Sequence, residues 1–382
     1  VGDERRGRRR TGEWLVLAAA LGLVLSLLTG RELPAPAAEA AAPGPAAGPA
    51  DGQADRAAAR LAPWMRPLRP GERPPQFVLF SFDGAGSHRH WKRVLALAAA
   101  SEARITAFLS GVYLVPDGER RRYRGPGRAP GVSAVGFGGS RAEVDTLIGD
   151  LMEARSRGHE IGTHYNGHFC AGDEPSVGRW STEMWVDELD QFFAFVEAAR
   201  ARGLDLGAVR GGRTPCLEGR WAQAYAAMRA HGFTYDTSRP TDGIVWPTDE
   251  HGIREFWMPS VRVPALRKQV LLMDYNLWMA VNGGRDEPER AAEFSDVVLG
   301  AYRAAHAAAA SGNRAPLVIG SHFNRWSGGG FFHAVERFMA EVCLQPETVC
   351  ATHSDVSAWI DLQDREVLDV WRAKPPAHVP RP

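Results

Sequence analysis

Gly158-His159-Glu160-Ile161-Gly162-Thr163-His164-Tyr165-Asn166-Gly167-His168 reads as the stop of one helix, a short strand and the start of a new segment. Gly158 ends the helix before it, and the apolar strand at 159–163 runs into two histidines four residues apart. On the first turn of a helical segment, residues at i and i+4 share one face, so both imidazoles are expected to reach a single ion. A bare pair of this kind is more often ordinary polar surface. Its meaning here comes from the segments on either side.

Working outward, strands and helices alternate. Strands are expected at 77–82, 105–109, 208–210, 233–235, 269–273, 317–320 and 349–351. Helices are expected near 91–100, 181–202, 220–230, 290–310 and 332–343. Ser140 and Glu143 form a capping-box signature ahead of Val144, Leu147, Ile148, Leu151 and Met152, which share one helical face. The Gly-, Arg- and Pro-dense stretch at 116–139 reads as a surface loop. Repeated βα units imply a parallel sheet long enough to close into a barrel, so the fold class is α/β.

Polar residues fall at a repeated place in this pattern. Asp83 follows the first strand directly, and His164, Arg213, Asp274 and His322 each follow a later one. In a βα barrel the C-terminal strand ends form one shared mouth, where catalytic groups gather. Any one of these side chains alone is more often a cap, an ion pair or a satisfied core residue; their joint placement points to chemistry. The chemistry expected is metal-assisted hydrolysis, with His164 and His168 holding a divalent ion. Asp83 then acts as base and His322 as acid, with Arg213 orienting Asp83 and Asp274 orienting His322. The backbone N–H of Cys216, after Pro215, is a candidate oxyanion donor.

Lys plus Arg and Asp plus Glu are balanced at 45 each, which gives no reason to expect nucleic acid or a charged partner. Arg5, Arg6, Arg8, Arg9 and Arg10 in the basic segment 1–13 precede an apolar run at 14–29, as in a signal peptide or short membrane anchor. The expected location is therefore extracytoplasmic, secreted or tethered by that segment. Residues 30–75 are rich in Ala, Pro and Gly and read as linker, 76–370 as the catalytic domain, and 371–382 as a tail. Export makes the four cysteines disulfide candidates, with three pairings possible. Cys343 and Cys350 are close enough to staple a helix to the next strand. A Cys170 to Cys216 bond would tie two site loops together, against the alternative of two buried free thiols.

Taken in order, the motifs resemble polysaccharide deacetylases with a NodB homology domain, in their chitin deacetylase-like branch. Phe80-Ser81-Phe82-Asp83-Gly84 is similar to that family's Thr-Phe-Asp-Asp-Gly stretch, and His164 to His168 to its metal pair. Arg213-Thr214-Pro215-Cys216 resembles its Arg-x-Pro-Tyr stretch, and Ile319-Gly320-Ser321-His322 the strand carrying its acid histidine. Tyr235-Asp236-Thr237-Ser238, Trp246-Pro247 and Asn313-Arg314-Ala315-Pro316-Leu317 look like segments of the chitin deacetylase-like branch. The resemblance implies a distorted (β/α) barrel, zinc or a similar divalent ion, and removal of acetyl groups from an N-acetylated polysaccharide; a monomer is expected. One departure is plain. The family's second aspartate, a metal ligand, aligns with Gly84, which offers no oxygen. Either water or another side chain completes the shell, or Asp83 turns to the metal, or the site has lost its ion. The last would leave a catalytically silent carbohydrate-binding protein. A glycosidase would need a second carboxylate facing Asp83, for which Asp274 is the candidate. Of Trp180, Trp185, Trp246, Trp257, Trp278 and Trp326, at least half are expected in the core and the others on sugar faces.

Overall fold

The computed structural model describes residues 51–381. The chain divides into two units, 1–46 and 47–382, and the apolar run at 14–29 lies outside the described residues. No helix among the described residues is long and apolar enough to cross a membrane.

The strands are β1 (Gln76–Gly84), β2 (Thr106–Leu109), β3 (Glu160–Thr163), β4 (Gly211–Gly212), β5 (Tyr235–Asp236), β6 (Pro240–Asp242), β7 (Thr248–Glu250), β8 (Ile253–Glu255), β9 (Met258–Val263), β10 (Lys268–Leu271), β11 (Leu317–His322) and β12 (Thr348–Cys350). The α-helices are α1 (Asp51–Leu61), α2 (His88–Ala100), α3 (Arg141–Ser156), α4 (Thr182–Arg200), α5 (Trp221–Ala230), α6 (Asp274–Asn282), α7 (Ala291–Ser311), α8 (Trp326–Val342), α9 (His353–Asp361) and α10 (Arg365–Arg372). The alternation expected from periodicity is present. β1 is buried along its length except at Gly84, as a strand covered on both faces must be. The α3 capping box forms in both directions, and Val144, Leu147, Ile148 and Leu151 face the core.

The main sheet runs in the order β11-β1-β2-β3-β4-β5-β8-β7, parallel except for the β7–β8 hairpin, with β12 also on β1. A smaller sheet, β10-β9-β6, continues it: β6 follows β5 and pairs with β9, which follows β8, in the same parallel sense. The ring then closes through Leu272. Its N–H donates to Pro259 O at 2.8 Å, and its carbonyl accepts from Gly320 N–H on β11 at 3.1 Å. The architecture is thus an α/β distorted (β/α) barrel whose last seam is one residue wide.

Three expectations need correction. Part of the linker is folded: α1 begins at Asp51, Leu61 and Leu68 are in the core, and Leu68 N–H donates to Gln363 at 2.8 Å. Part of the tail is folded as well, since Ala377 bridges Ile244 and is buried. The stretch at 116–139 is more than a surface loop: Tyr123 is fully buried, and Val135, Phe137, Gly138 and Gly139 form a wall of the cavity described below. In each case apolar side chains too sparse to show a period find core contacts that only the closed barrel provides.

Cys170–Cys216 and Cys343–Cys350 are both disulfides, with Cα separations of 5.9 and 5.4 Å. Two such bonds suit an oxidising, extracytoplasmic compartment.

Candidate active site

The barrel register brings the expected residues to one level. Asp83 at the end of β1 lies opposite His322 at the end of β11. Gly84, Leu109, Thr163, Gly212 and Asp236 then pair across successive strands. One residue further on, Ser110 N–H donates to Gly84 O, His164 N–H to Leu109 O, Arg213 N–H to Thr163 O, and Thr237 N–H to Gly212 O. Four parallel strands, β2 to β5, therefore deliver their next side chains to the mouth where β1 presents Asp83.

Asp83 and Arg213 form a buried ion pair at 2.9 Å, with side chains 2% and 0% exposed. Arg213 is saturated: it donates also to Ser81 Oγ, to Thr237 O and Oγ1, and to Met258 Sδ, and its guanidinium lies over Phe108. Fixing every donor in this way is what makes a buried guanidinium tolerable, and only the planar fork of arginine can do it. Burial alone would raise the Asp83 carboxyl, but Arg213, with His164 and His322 beyond it, outweighs burial and holds it below its ordinary value. Asp83 Oδ2 takes no hydrogen bond from any described residue.

His322 and Asp274 form the second pair. Nδ1 of His322 is 2.7 Å from Asp274 Oδ1, and the His322 backbone N–H donates to Oδ2 at 2.7 Å. Tyr275 N–H and Asn324 Nδ2 complete the carboxylate's partners. Asp274 opens α6 and is fully buried, so its charge is directed at the imidazole. Burial pulls the His322 imidazole down, but Asp274 in contact and Asp83 on the neighbouring strand overcome it, and the net shift is upward.

His164 and His168 meet with ring centroids 5.0 Å apart, though not as expected. No helix follows β3; residues 164–170 are loop, and Tyr165 and His168 adopt φ of 57° and 59°. The loop is held by Glu188 of α4, whose carboxylate accepts from the N–H groups of Asn166 and Gly167. Nδ1 of His164 lies 2.8 Å from Arg213 O, an acceptor, so Nδ1 carries the proton and Nε2 the lone pair. That Nε2 is buried with no partner in the described chain, which disfavours the fold by on the order of 1–3 kcal/mol unless a ligand supplies one. Burial lowers the His164 imidazole, and burial together with His164 takes His168 down to about 3, so both are neutral donors at neutral pH. The residues present thus fit a divalent ion through two imidazoles. The tightest group of possible ligands among the described residues, His168 with Cys170 and Cys216, has both sulfurs in a disulfide. Asp83, His164 and His168 are spread more loosely around the cavity.

That cavity, of about 660 Å³, is lined by Asp83, Tyr113, His164, His168, His322 and the glycines 84 and 86, among others. All six site residues expected from the sequence are therefore brought together, four on the lining and Arg213 and Asp274 directly behind it. Ser110, Tyr113, Asn324 and Glu188 escaped the sequence reading. Ser110 carried the same positional signal as Asp83, since it directly follows a strand. Among the tryptophans, Trp180, Trp185 and Trp246 are buried, while Trp257, Trp278 and Trp326 are partly exposed, as expected for half of them. Trp278 and Trp326 stack at 4.6 Å, and Trp326 lies 5.7 Å from the His322 ring.

No family model and no curated protein matches the sequence. Solved structures do. A protein of the polysaccharide deacetylase type from Mycobacterium smegmatis is 16% identical, over 83% of this chain and 98% of its own, with a TM-score of 0.46. The chitin deacetylase of Colletotrichum lindemuthianum is 12% identical, over 75% and 90%, with a TM-score of 0.42. A CE4 family pseudoenzyme from Bacillus anthracis is 13% identical, over 78% and 69%, also at 0.42. At these identities and TM-scores no residue role carries across. The chain is similar, at the level of overall structure, to polysaccharide deacetylases and to a pseudoenzyme of their CE4 family.

Proposed function

We propose that this protein is an exported, metal-dependent hydrolase that removes acetyl groups from an N-acetylated polysaccharide such as chitin or a peptidoglycan-type glycan. The observation that carries the reading is the pairing of opposed titratable groups across one cavity. Asp83 is shifted toward its ionised form by Arg213, and His322 is shifted toward its protonated form by Asp274. Two groups whose surroundings push them in opposite directions suit a base and an acid. A divalent ion, zinc in the simplest case, would be held by His164 and His168, and when bound it supplies Lewis acidity toward an amide carbonyl and a water. Asp83 accepts a proton from the attacking water. His322 delivers its proton to the departing amine, and Asp274 stabilises the imidazolium until then. Trp278 and Trp326 offer stacked indole faces to pyranose rings beside the acid. Asp274 is buried with both oxygens engaged, and Glu143 on the lining caps α3, so neither serves as the opposing carboxylate a glycosidase requires.

A second reading, a catalytically silent carbohydrate-binding protein, is favoured by one feature: Gly84 has no side chain to offer a metal. Metal content by mass spectrometry and acetate release from chitin oligomers, on the parent and on His164→Ala, distinguish the two. Near one ion and released acetate in the parent, both lost in the variant, support the hydrolase. No ion and no acetate on chitin or peptidoglycan substrates refute it.

A further inference from the structure

Of the hydroxyls on the cavity lining, Ser87 and Thr146 are bonded to His90 and to the Ala142 carbonyl, and the two that remain flank Gly84 and are unused by the proposed reaction. Ser110 is 1% exposed, lies on the cavity lining, and its Oγ is buried without a hydrogen-bond partner. Its own N–H is bonded to Gly84 O at 3.1 Å, which fixes it beside that residue. Tyr113 sits on the turn that follows, and its ring packs across the backbone of residues 84 and 86. A Cβ at Gly86 would stand 2.6 Å from Tyr113 Cδ2, and one at Gly84 would be 3.9 Å from the phenol oxygen. The Tyr113 hydroxyl also bonds to no described residue. The glycines thus make room for a tyrosine whose oxygen lies in contact distance of where a Cβ at 84 would stand.

Buried polar groups in native proteins are paired, and an unpaired one facing a cavity signals an absent partner. Here Ser110 Oγ and His164 Nε2 are both buried and unpaired, and the two residues stand on the lining of the same cavity. Hydroxyl oxygens carry lone pairs that a divalent cation accepts. We infer that Ser110 and Tyr113 supply the oxygen donors beside Gly84, turned toward the cation that His164 and His168 hold. The inference rests on the metal reading above and makes Gly84 part of a different donor set, not a lesion.

The test is isothermal titration of the purified full chain with Zn²⁺, repeated with Co²⁺ by visible absorption, for the parent, Ser110→Ala, Tyr113→Phe, Gly86→Ala and His164→Ala. Folding of each is verified by circular dichroism. The expected result is one site in the parent, none in His164→Ala, and Kd raised at least tenfold in both Ser110→Ala and Tyr113→Phe, with an altered Co²⁺ spectrum. Gly86→Ala removes no donor but displaces the Tyr113 ring, so it should follow Tyr113→Phe. Parent-like affinity in either hydroxyl variant, with His164→Ala still defective, overturns this inference alone. No binding by the parent overturns it together with the metal reading.

Discussion

Replacing Asp274 by Asn isolates the acid half of the site. The carboxylate accepts four hydrogen bonds of 2.6–2.7 Å: Oδ1 from the His322 ring and Tyr275 N–H, Oδ2 from His322 N–H and Asn324 Nδ2. An amide has one acceptor oxygen, so either end it presents as NH₂ meets donors. Turned to the ring, it also forces the imidazole proton onto Nε2 in the neutral tautomer. A hydrogen bond between charged groups contributes about 1.5–3 kcal/mol, and 1.36 kcal/mol corresponds to one pKa unit, so the imidazolium should lose roughly one to two units. His322 in the parent titrates above its usual value, so parent activity should fall only as pH rises through that raised value. In Asp274→Asn the same fall should begin at a pH lower by about one to two units, and the rate at neutral pH should drop by roughly 10- to 100-fold. Acetate release from a chitin oligomer across pH 5–10, with metal content verified in both proteins, measures it. Coincident alkaline limbs would refute the assignment of Asp274 as the partner that keeps His322 protonated.

Three further outcomes follow from the geometry. Arg213→Met leaves Asp83 buried and uncompensated, which should destabilise the fold by about 3–5 kcal/mol in chemical denaturation and move the acid limb of the rate profile to higher pH; an unmoved acid limb would count against the pair. Burial pushes Glu188 up to about 7 despite the N–H and O–H groups it accepts from. Its folded value is raised, so its contribution is complete below the unfolded value near 4.5 and is lost as pH climbs to about 7. The parent should therefore lose about 3 kcal/mol relative to Glu188→Gln over that window, and parallel urea midpoints would exclude it. Converting Cys170 and Cys216 to Ala opens a link across 46 residues and should lower stability by about 2–4 kcal/mol while loosening the His168 loop, measured as denaturation midpoint and Zn²⁺ affinity.

What the sequence made legible was the set of strand ends, because a parallel strand buried on both faces leaves an apolar run whose end is sharp. The apolar runs of β1 and β11 give way at Asp83 and His322, within the last two residues of each strand, and the register pairs these two residues side by side. β4 was displaced by a few residues because its two residues are glycines with no side chain to display a period. Those glycines are required, since a Cβ at Gly211 or Gly212 would come within 2.5 Å of the carbonyl oxygens of Tyr235 and Thr163. The imidazole pair was found for an incomplete reason. The spacing of four was right, but the rings meet through left-handed backbone at Tyr165 and His168, a state that local sequence seldom reveals for non-glycine residues. Strands β6 and β9 carry Pro240 and Pro259, a residue type that weakens any strand pattern in the sequence, whereas the small sheet tolerates them near strand starts.

The seam at Leu272 gives the acid pair a dependence that no polar contact displays. Leu272 bonds β9 on one side and Gly320 on the other, Met273 bridges Gly320, and Asp274 begins α6 at the next residue. The position of the Asp274 carboxylate is therefore set by how closely the chain at 272–273 approaches β11. Gly320 permits that approach: a Cβ there would stand 2.8 Å from the Met258 methyl and 2.9 Å from the Met273 methyl. These are ends of flexible side chains, so Gly320→Ala should fold, with the seam shifted by a few tenths of an ångström. A bond of 2.7 Å between His322 and Asp274 weakens steeply with such a shift. Gly320→Ala should thus reproduce part of the Asp274→Asn phenotype, with the alkaline limb displaced to lower pH and Zn²⁺ affinity unchanged because His164 and His168 lie on the opposite side of Asp83. An alkaline limb identical to the parent's, in a variant with parent-like thermal stability, would show that the acid pair is positioned independently of the closure.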